Sequence, residues 1–240
     1  MLVTRTKPFM KLNLKLLFTL IAAAFAISFL LWQIKRCQLK HNRIQESNTT
    51  ILDQKRELDL CIGIAPFGKL DSSFLLLLKR EVFQFYKFET KLILPLTLPS
   101  DAYYPPRNRY KAASLLKYLE VMKPDDIYCI IGITDVDIST KVPPYEDWGI
   151  FGLGEYPGHT CIISTFRVSR ASKTQRQFEE RMVKIVLHEL GHNFGLNHCK
   201  TPGCLMGAAN GAIQSVDREE KALCEKCRQN PLTSRAPVLK

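Results

Sequence analysis

The chain has 240 residues, 46% hydrophobic and 24% charged, the balance of a folded protein, which excludes a disordered one. Its length suits one domain of ordinary size with a sizeable core, and no internal repeat or low-complexity tract divides it. Lys and Arg number 34 against 23 Asp and Glu, a net charge of +11, but much of the excess flanks an N-terminal apolar run or sits in the C-terminal tail; with no basic motif interleaved with aromatics, no nucleic-acid partner is expected, and a membrane surface or acidic peptides fit better.

Residues 1–15 are a basic segment. Residues 16–32, LLFTLIAAAFAISFLLW, carry no charge. As a helix they would span roughly 25 Å, close to the thickness of a bilayer core. Lys15 on one side and Lys35 and Arg36 on the other suit the interfaces, and Trp32 the boundary. A cleaved signal peptide is the alternative, but no small-x-small cleavage site follows the run. The expectation is a transmembrane anchor over 16–34 and a single-pass membrane placement. Basic residues flank both ends, so the side holding the rest of the chain stays open. Residues 35–56 are polar and read as a linker.

A folded domain is expected over 57–228. It opens with a strand near 58–66 and a helix from Ser72, with Asp71 or Ser72 as its N-cap. A second strand is expected near 91–96, then a Pro-rich loop and a helix over 108–122. Residues 127–134, IYCIIGIT, are a continuous apolar run, the mark of a strand buried on both faces. Residues 134–148 read as loop, and 150–169 as two short strands around Gly158. A long helix follows over 173–194. Strands alternating with helices argue an α/β fold, a mixed sheet with packed helices. The tail, 229–240, is short, polar and expected to be flexible.

The chemistry concentrates in 188–206, HELGHNFGLNHCKTPGCLM. His188 and His192 are four apart, so they share one helix face and can reach one metal. Glu189 sits one position round, near enough to act on a water and badly placed to be a ligand. Gly195 permits a sharp left-handed exit from the helix, after which His198 can return as a third nitrogen ligand. Three protein ligands with one open position is the arrangement of a catalytic zinc. Cys199, Cys204, Cys224 and Cys227 have metal-like grouping; four thiolates closing a structural zinc site and two disulfides are both open to this spacing. The other cysteines sit mostly in apolar strands and read as small buried hydrophobes.

The extended pattern H-E-x-x-H-x-x-G-x-x-H, followed by Cys199, Cys204, Met206 and the C-x-x-C of Cys224 and Cys227, resembles the archaemetzincins, metzincin metallopeptidases with an added four-cysteine site. Upstream, RNRYKAASLLKYL, the strand ending in Gly132, Ile133, Thr134 and Asp135, and the segment around Phe151 and Gly152 are similar in order and type. The resemblance implies a metzincin-like mixed sheet, a long active-site helix and a small zinc-stapled C-terminal subdomain. It implies two zinc ions per chain, one catalytic on His188, His192 and His198, and one structural on the four cysteines. It makes Met206 the Met-turn and Phe151, Gly152, Leu153 and Gly154 an edge strand for an extended peptide, although glycines there also suit a hairpin that merely turns. Glu189 is then the general base for a zinc-activated water in peptide hydrolysis, weak, aminopeptidase-like or restricted in specificity. No tyrosine follows Met206 to assist the transition state. A monomer acting on a peptide or protein substrate is expected. The alternative is a membrane-anchored zinc-binding module with little or no proteolytic activity.

Overall fold

The computed structural model describes residues 60–209 and 211–239, together with the isolated helical positions Lys35 and Gln38. The expected anchor over 16–34 lies outside the described residues. Among the described residues no helix is long and apolar enough to cross a membrane, so the expected single-pass membrane placement is corrected. The chain divides into two compact units, Met1–Arg56 and Glu57–Lys240.

Five strands build the main sheet of the second unit: β1 (Cys61–Pro66), β2 (Glu89–Leu92), β5 (Cys129–Thr134), β8 (Gly152–Gly154) and β9 (Thr160–Ser164). Their order is β2-β1-β5-β9-β8. The first four are mutually parallel and β8 runs antiparallel on the edge, with Gly152 opposite Ile163 and Gly154 opposite Cys161. Parallel strands need both faces covered, and successive side chains point to opposite faces. Ile62, Ile64, Cys129, Ile131, Ile133, Cys161 and Ile163 therefore face one core, while Ala65, Ile130 and Ile162 face the other. Helices α1 (Ser72–Tyr86) and α4 (Gln175–Asn193) cover the first face, and α2 (Ala112–Met122) supplies Leu115 and Leu119 to the second. The strand expected over 127–134 forms over Cys129–Thr134, and Asp71 is the cap: its carboxylate accepts from the Phe74 amide at 2.8 Å.

Three segments depart from expectation. Residues 134–148, read as loop, hold β6 (Ile138–Val142) and the start of β7 (Tyr145–Ile150), an antiparallel hairpin. Its turn falls at Pro143 and Pro144, which made the segment look irregular. With β3 (Tyr103–Tyr104) and β4 (Arg109–Lys111) it forms a small second sheet of order β3-β4-β6-β7. Helix α2 consequently starts late, because Asn108 turns at φ 49° and the next three residues pair as β4. Residues after Ser164 form a short helix, α3 (Phe166–Ala171). Asp137 anchors the small sheet: it accepts from Arg109 Nε at 2.8 Å and from Arg167 Nε at 2.7 Å, and Arg109 also reaches the Asp147 carbonyl at 2.9 Å.

The C-terminal part is no separate subdomain held by metal alone. Leu196, Leu205, Met206, Val216 and Leu223 join the same core as the sheet. Helices α5 (Ile213–Arg218) and α6 (Glu225–Arg228) border them. The tail expected to be flexible is packed as well: Asn230 Nδ2 donates to the Phe194 carbonyl at 2.7 Å, Leu239 N to Leu223 O at 2.9 Å, and Ala236 is buried. Its apolar residues are spaced too widely to show periodicity, which hid this contact from a reading by pattern.

Candidate metal centre

Helix α4 positions the centre. Thr174 caps its start, its hydroxyl accepting from the Gln177 amide at 3.1 Å. At its end Gly195 adopts φ 82°, with Gly195 N donating to His192 O and Leu196 N to Gly191 O, both at 2.9 Å. This is the paired bonding of a Schellman turn. It reverses the chain within three residues and delivers His198 beside the helix. Below the helix, Met206 Sδ and Tyr86 Oη converge on Gly191, where any Cβ would collide with the sulfur. The Tyr86 hydroxyl also donates to the Leu187 carbonyl at 2.7 Å.

The three imidazoles meet. Ring centroids lie 4.7 Å apart for His188 and His192, 4.9 Å for His192 and His198, and 5.4 Å for His188 and His198. His188 Nδ1 lies 2.8 Å from the Leu205 carbonyl and His192 Nδ1 2.7 Å from the Leu196 carbonyl. A carbonyl only accepts, so each Nδ1 carries the proton and each Nε2 presents a bare lone pair. Those two lone pairs face each other across 3.1 Å. Two acceptors at that distance repel unless a cation lies between them, so this donor set fits a metal. The carbonyl partners orient the rings as ligating histidines require. Burial, then the neighbouring His192, hold His188 down to about 3; burial also lowers His192 and His198, and all three are neutral at neutral pH.

Glu189 lies outside this ligand cluster. Its side chain is buried under β8: a Cβ at Gly152 would stand 3.0 Å from its Oε1, and one at Gly154 would meet its backbone oxygen. Glycine at both positions lets the edge strand lie directly on the helix, a reason distinct from turning or from peptide approach. Burial lifts the Glu189 carboxyl to about 8, with the Gly154 amide pulling the other way. Phe151 and Leu153 flank these glycines on the wall of a cleft of about 680 Å³ that also exposes the three histidines and Glu189.

The four cysteines converge too. Cys199 and Cys224 sulfurs are 3.6 Å apart, and those of Cys204 and Cys227 3.8 Å, far beyond a disulfide bond of about 2.05 Å. Ligands on a tetrahedron with metal–sulfur bonds of about 2.3 Å would sit roughly 3.8 Å apart. Backbone amides of Thr201 and Cys224 point at the sulfurs of Cys199 and Cys204, each at 3.4 Å. Hydrogen bonds, led by the Cys227 amide, outweigh burial and lower Cys224 to about 6, whereas burial raises Cys204 and Cys227.

Several residues with no signal in the sequence support the site. Asn193, next to the second histidine, donates from Nδ2 to the carbonyls of Glu155 at 3.0 Å and Thr160 at 2.8 Å, tying α4 to the β8–β9 hairpin. Tyr156 stands edge-on to His192, 6.4 Å between centroids, and accepts from Asn197. Arg181 and Asp217 lock α4 to α5, with bonds of 2.7 and 2.6 Å. A pairing that joins residues far apart in the chain leaves no spacing to read.

Comparison with known proteins agrees with this geometry. The family model described as Peptidase family M54 matches residues 80–231. An archaemetzincin of Pyrococcus furiosus is 32% identical over 177 residues, 69% of this chain and 89% of its own length. One of Halobacterium salinarum is 28% identical over 175 residues, 70% of this chain and 97% of its own. A crystal structure of archaemetzincin from Methanopyrus kandleri superposes with a TM-score of 0.61 at 28% identity, covering 70% of this chain and 91% of that one. These relatives are matched over most of their length by about 70% of this chain.

Proposed function

The chain belongs to peptidase family M54, the archaemetzincins, and is a zinc-dependent metallopeptidase; from that premise we propose that His188, His192 and His198 hold the catalytic zinc, that Glu189 is the general base, and that Cys199, Cys204, Cys224 and Cys227 hold a second, structural zinc. On this reading residues 57–228 are the metallopeptidase domain and the packed tail closes it. The observation that carries it is the pair of bare Nε2 atoms 3.1 Å apart, each ring fixed from behind by a backbone carbonyl.

Zinc, when bound, supplies Lewis acidity: it polarises a carbonyl and brings the pKa of water down towards about 7. The chain's own residues do the rest. Neutral imidazoles leave their lone pairs free for the metal at neutral pH. Glu189, desolvated under β8, takes a proton at its carboxylate from the attacking water and returns it to the leaving amine. The edge strand, Phe151 to Gly154, turns the side away from β9 towards an extended peptide, as sheet edges do. Met206, packed against Gly191 between the first two histidines, serves as the Met-turn residue. The cysteine site pins the turn that carries His198, since Cys199 is the next residue and its amide donates to Met206 O at 2.8 Å.

The test is a peptide panel incubated with the zinc-loaded chain and with Glu189→Ala, read by mass spectrometry. Cleavage by the wild type alone supports the assignment. Equal turnover by both removes Glu189 from the mechanism.

A further inference from the structure

The cleft contains a second carboxylate that hydrolysis does not use. Glu219 follows α5 and returns over the segment after Met206, where it packs flat on Gly207; a Cβ there would collide with its carboxylate. Its Oε2 is buried without a hydrogen-bond partner, and among the described residues no cation pairs with it. Two cations lie close but are turned elsewhere. Lys184 Nζ donates to the Val216 carbonyl at 3.1 Å, and Arg218 Nη2 to Ser215 Oγ at 2.9 Å. Burial outweighs their pull and raises the Glu219 carboxyl. Glu219 as a whole is half-buried, but a carboxylate oxygen buried without a partner costs a folded protein stability, and such costs gather where a ligand supplies the missing partner.

Its position relative to the reacting centre is fixed by the chain. Gly207 is two residues beyond Leu205, whose carbonyl fixes His188. Two Cα steps span at most about 7 Å, so the carboxylate packs on a segment adjoining the one that fixes His188. The cleft wall carries the apolar Ile185, Leu205 and Val216, and its one nearby cation, Lys184, is engaged by the Val216 carbonyl. Such a wall suits the methylene stem of a lysine or arginine, with the charge at its far end. Among the described residues the other carboxylate on the cleft wall is Glu189, which packs on Gly152 and Gly154 of β8 rather than on Gly207.

We propose that the space beside α4 lined by Ile185, Leu205, Gly207, Val216 and Glu219 is a specificity pocket for a lysine or arginine side chain of the substrate, and that Glu219 is the residue that selects it. The proposal rests on the peptidase reading of the neighbouring centre. It is tested with two peptide series that differ only in carrying lysine or norleucine, stepped through each position on both sides of the cut. Binding to the zinc-loaded full chain is measured by calorimetry, with Glu189→Gln added in this arm so that peptide is not consumed. Cleavage is measured in parallel without that substitution. The expected result is one position at which lysine is favoured over norleucine by roughly tenfold or more. Glu219→Gln should reduce that ratio to about one and leave norleucine peptides unchanged, and Glu219→Lys should favour glutamate there. Equal binding of lysine and norleucine peptides by the wild type, or a preference that survives Glu219→Gln, overturns the proposal. Selective binding without cleavage would keep the pocket and sink the peptidase reading; cleavage without a lysine preference would do the reverse.

Discussion

Gly154 sits where β8 crosses α4, and Gly154→Ala probes how tightly the two must fit. The added Cβ would stand 2.5 Å from the Glu189 carbonyl oxygen and 3.1 Å from His192 Cβ. Neither neighbour is a free side-chain end. One is helix backbone, and the other is the root of a ring held at the Leu196 carbonyl at 2.7 Å. Ordinary contact starts at 3.4 Å, so strand and helix must part by about 0.9 Å, the difference between 3.4 and 2.5. Overpacking of this kind costs about 1–3 kcal/mol. A reacting group displaced by about 1 Å loses on the order of a hundredfold in rate. Gly154→Ala should lower the urea midpoint by that stability, with the m-value unchanged, and lower kcat/KM on a fluorogenic peptide about a hundredfold while zinc content stays constant. A variant with the wild-type midpoint and rate would refute the reasoning, since β8 would then be free to shift without consequence.

Glu189→Gln should lose about 10²–10⁴-fold in kcat, the usual worth of a positioned base, with zinc by atomic absorption unchanged. Asp137→Ala leaves the guanidinium groups of Arg109 and Arg167 without their shared carboxylate and should destabilise by about 3–5 kcal/mol in denaturant titration. Cys227→Ser should cost one zinc per chain and raise amide exchange through residues 195–239, the region that the cysteine site and the core hold jointly. Arg181 hydrogen bonds hold the Asp217 carboxyl below the usual carboxylate range. Its folded value lies below its unfolded one, so the stabilisation is complete above about pH 4 and fades as pH falls through the folded value. Wild type should therefore exceed Asp217→Asn in stability at neutral pH, and the gap should narrow in strong acid; a constant gap would argue against the linkage.

The features legible in the sequence were those with a short-range signature. The spacing of His188, His192 and His198, with Gly195 at the helix exit, is a local property of one helix and one turn, and the structure brings those residues together. The apolar run of β5 was equally plain, because a strand buried on both faces has no polar positions to confuse it. The β6–β7 hairpin was hidden by its two prolines and by charged residues on its open face. The Asp137 network was hidden because Arg109, Asp137 and Arg167 come from three separate segments. Glycines 152 and 154 were noticed, but what they accommodate is a helix far along the chain, and only coordinates supply that neighbour. The apolar run over 16–32 meets the length criterion for a bilayer span, a criterion that hydrophobicity alone satisfies, and it lies outside the described residues.

The most direct test of the account is the zinc-edge anomalous signal of crystals grown from the zinc-loaded chain. Two peaks are predicted, one bounded by the nitrogens of His188, His192 and His198 with a coordination position left free, and one enclosed by the sulfurs of Cys199, Cys204, Cys224 and Cys227. A map with no peak among the three imidazoles, or with the rings turned apart, would contradict it.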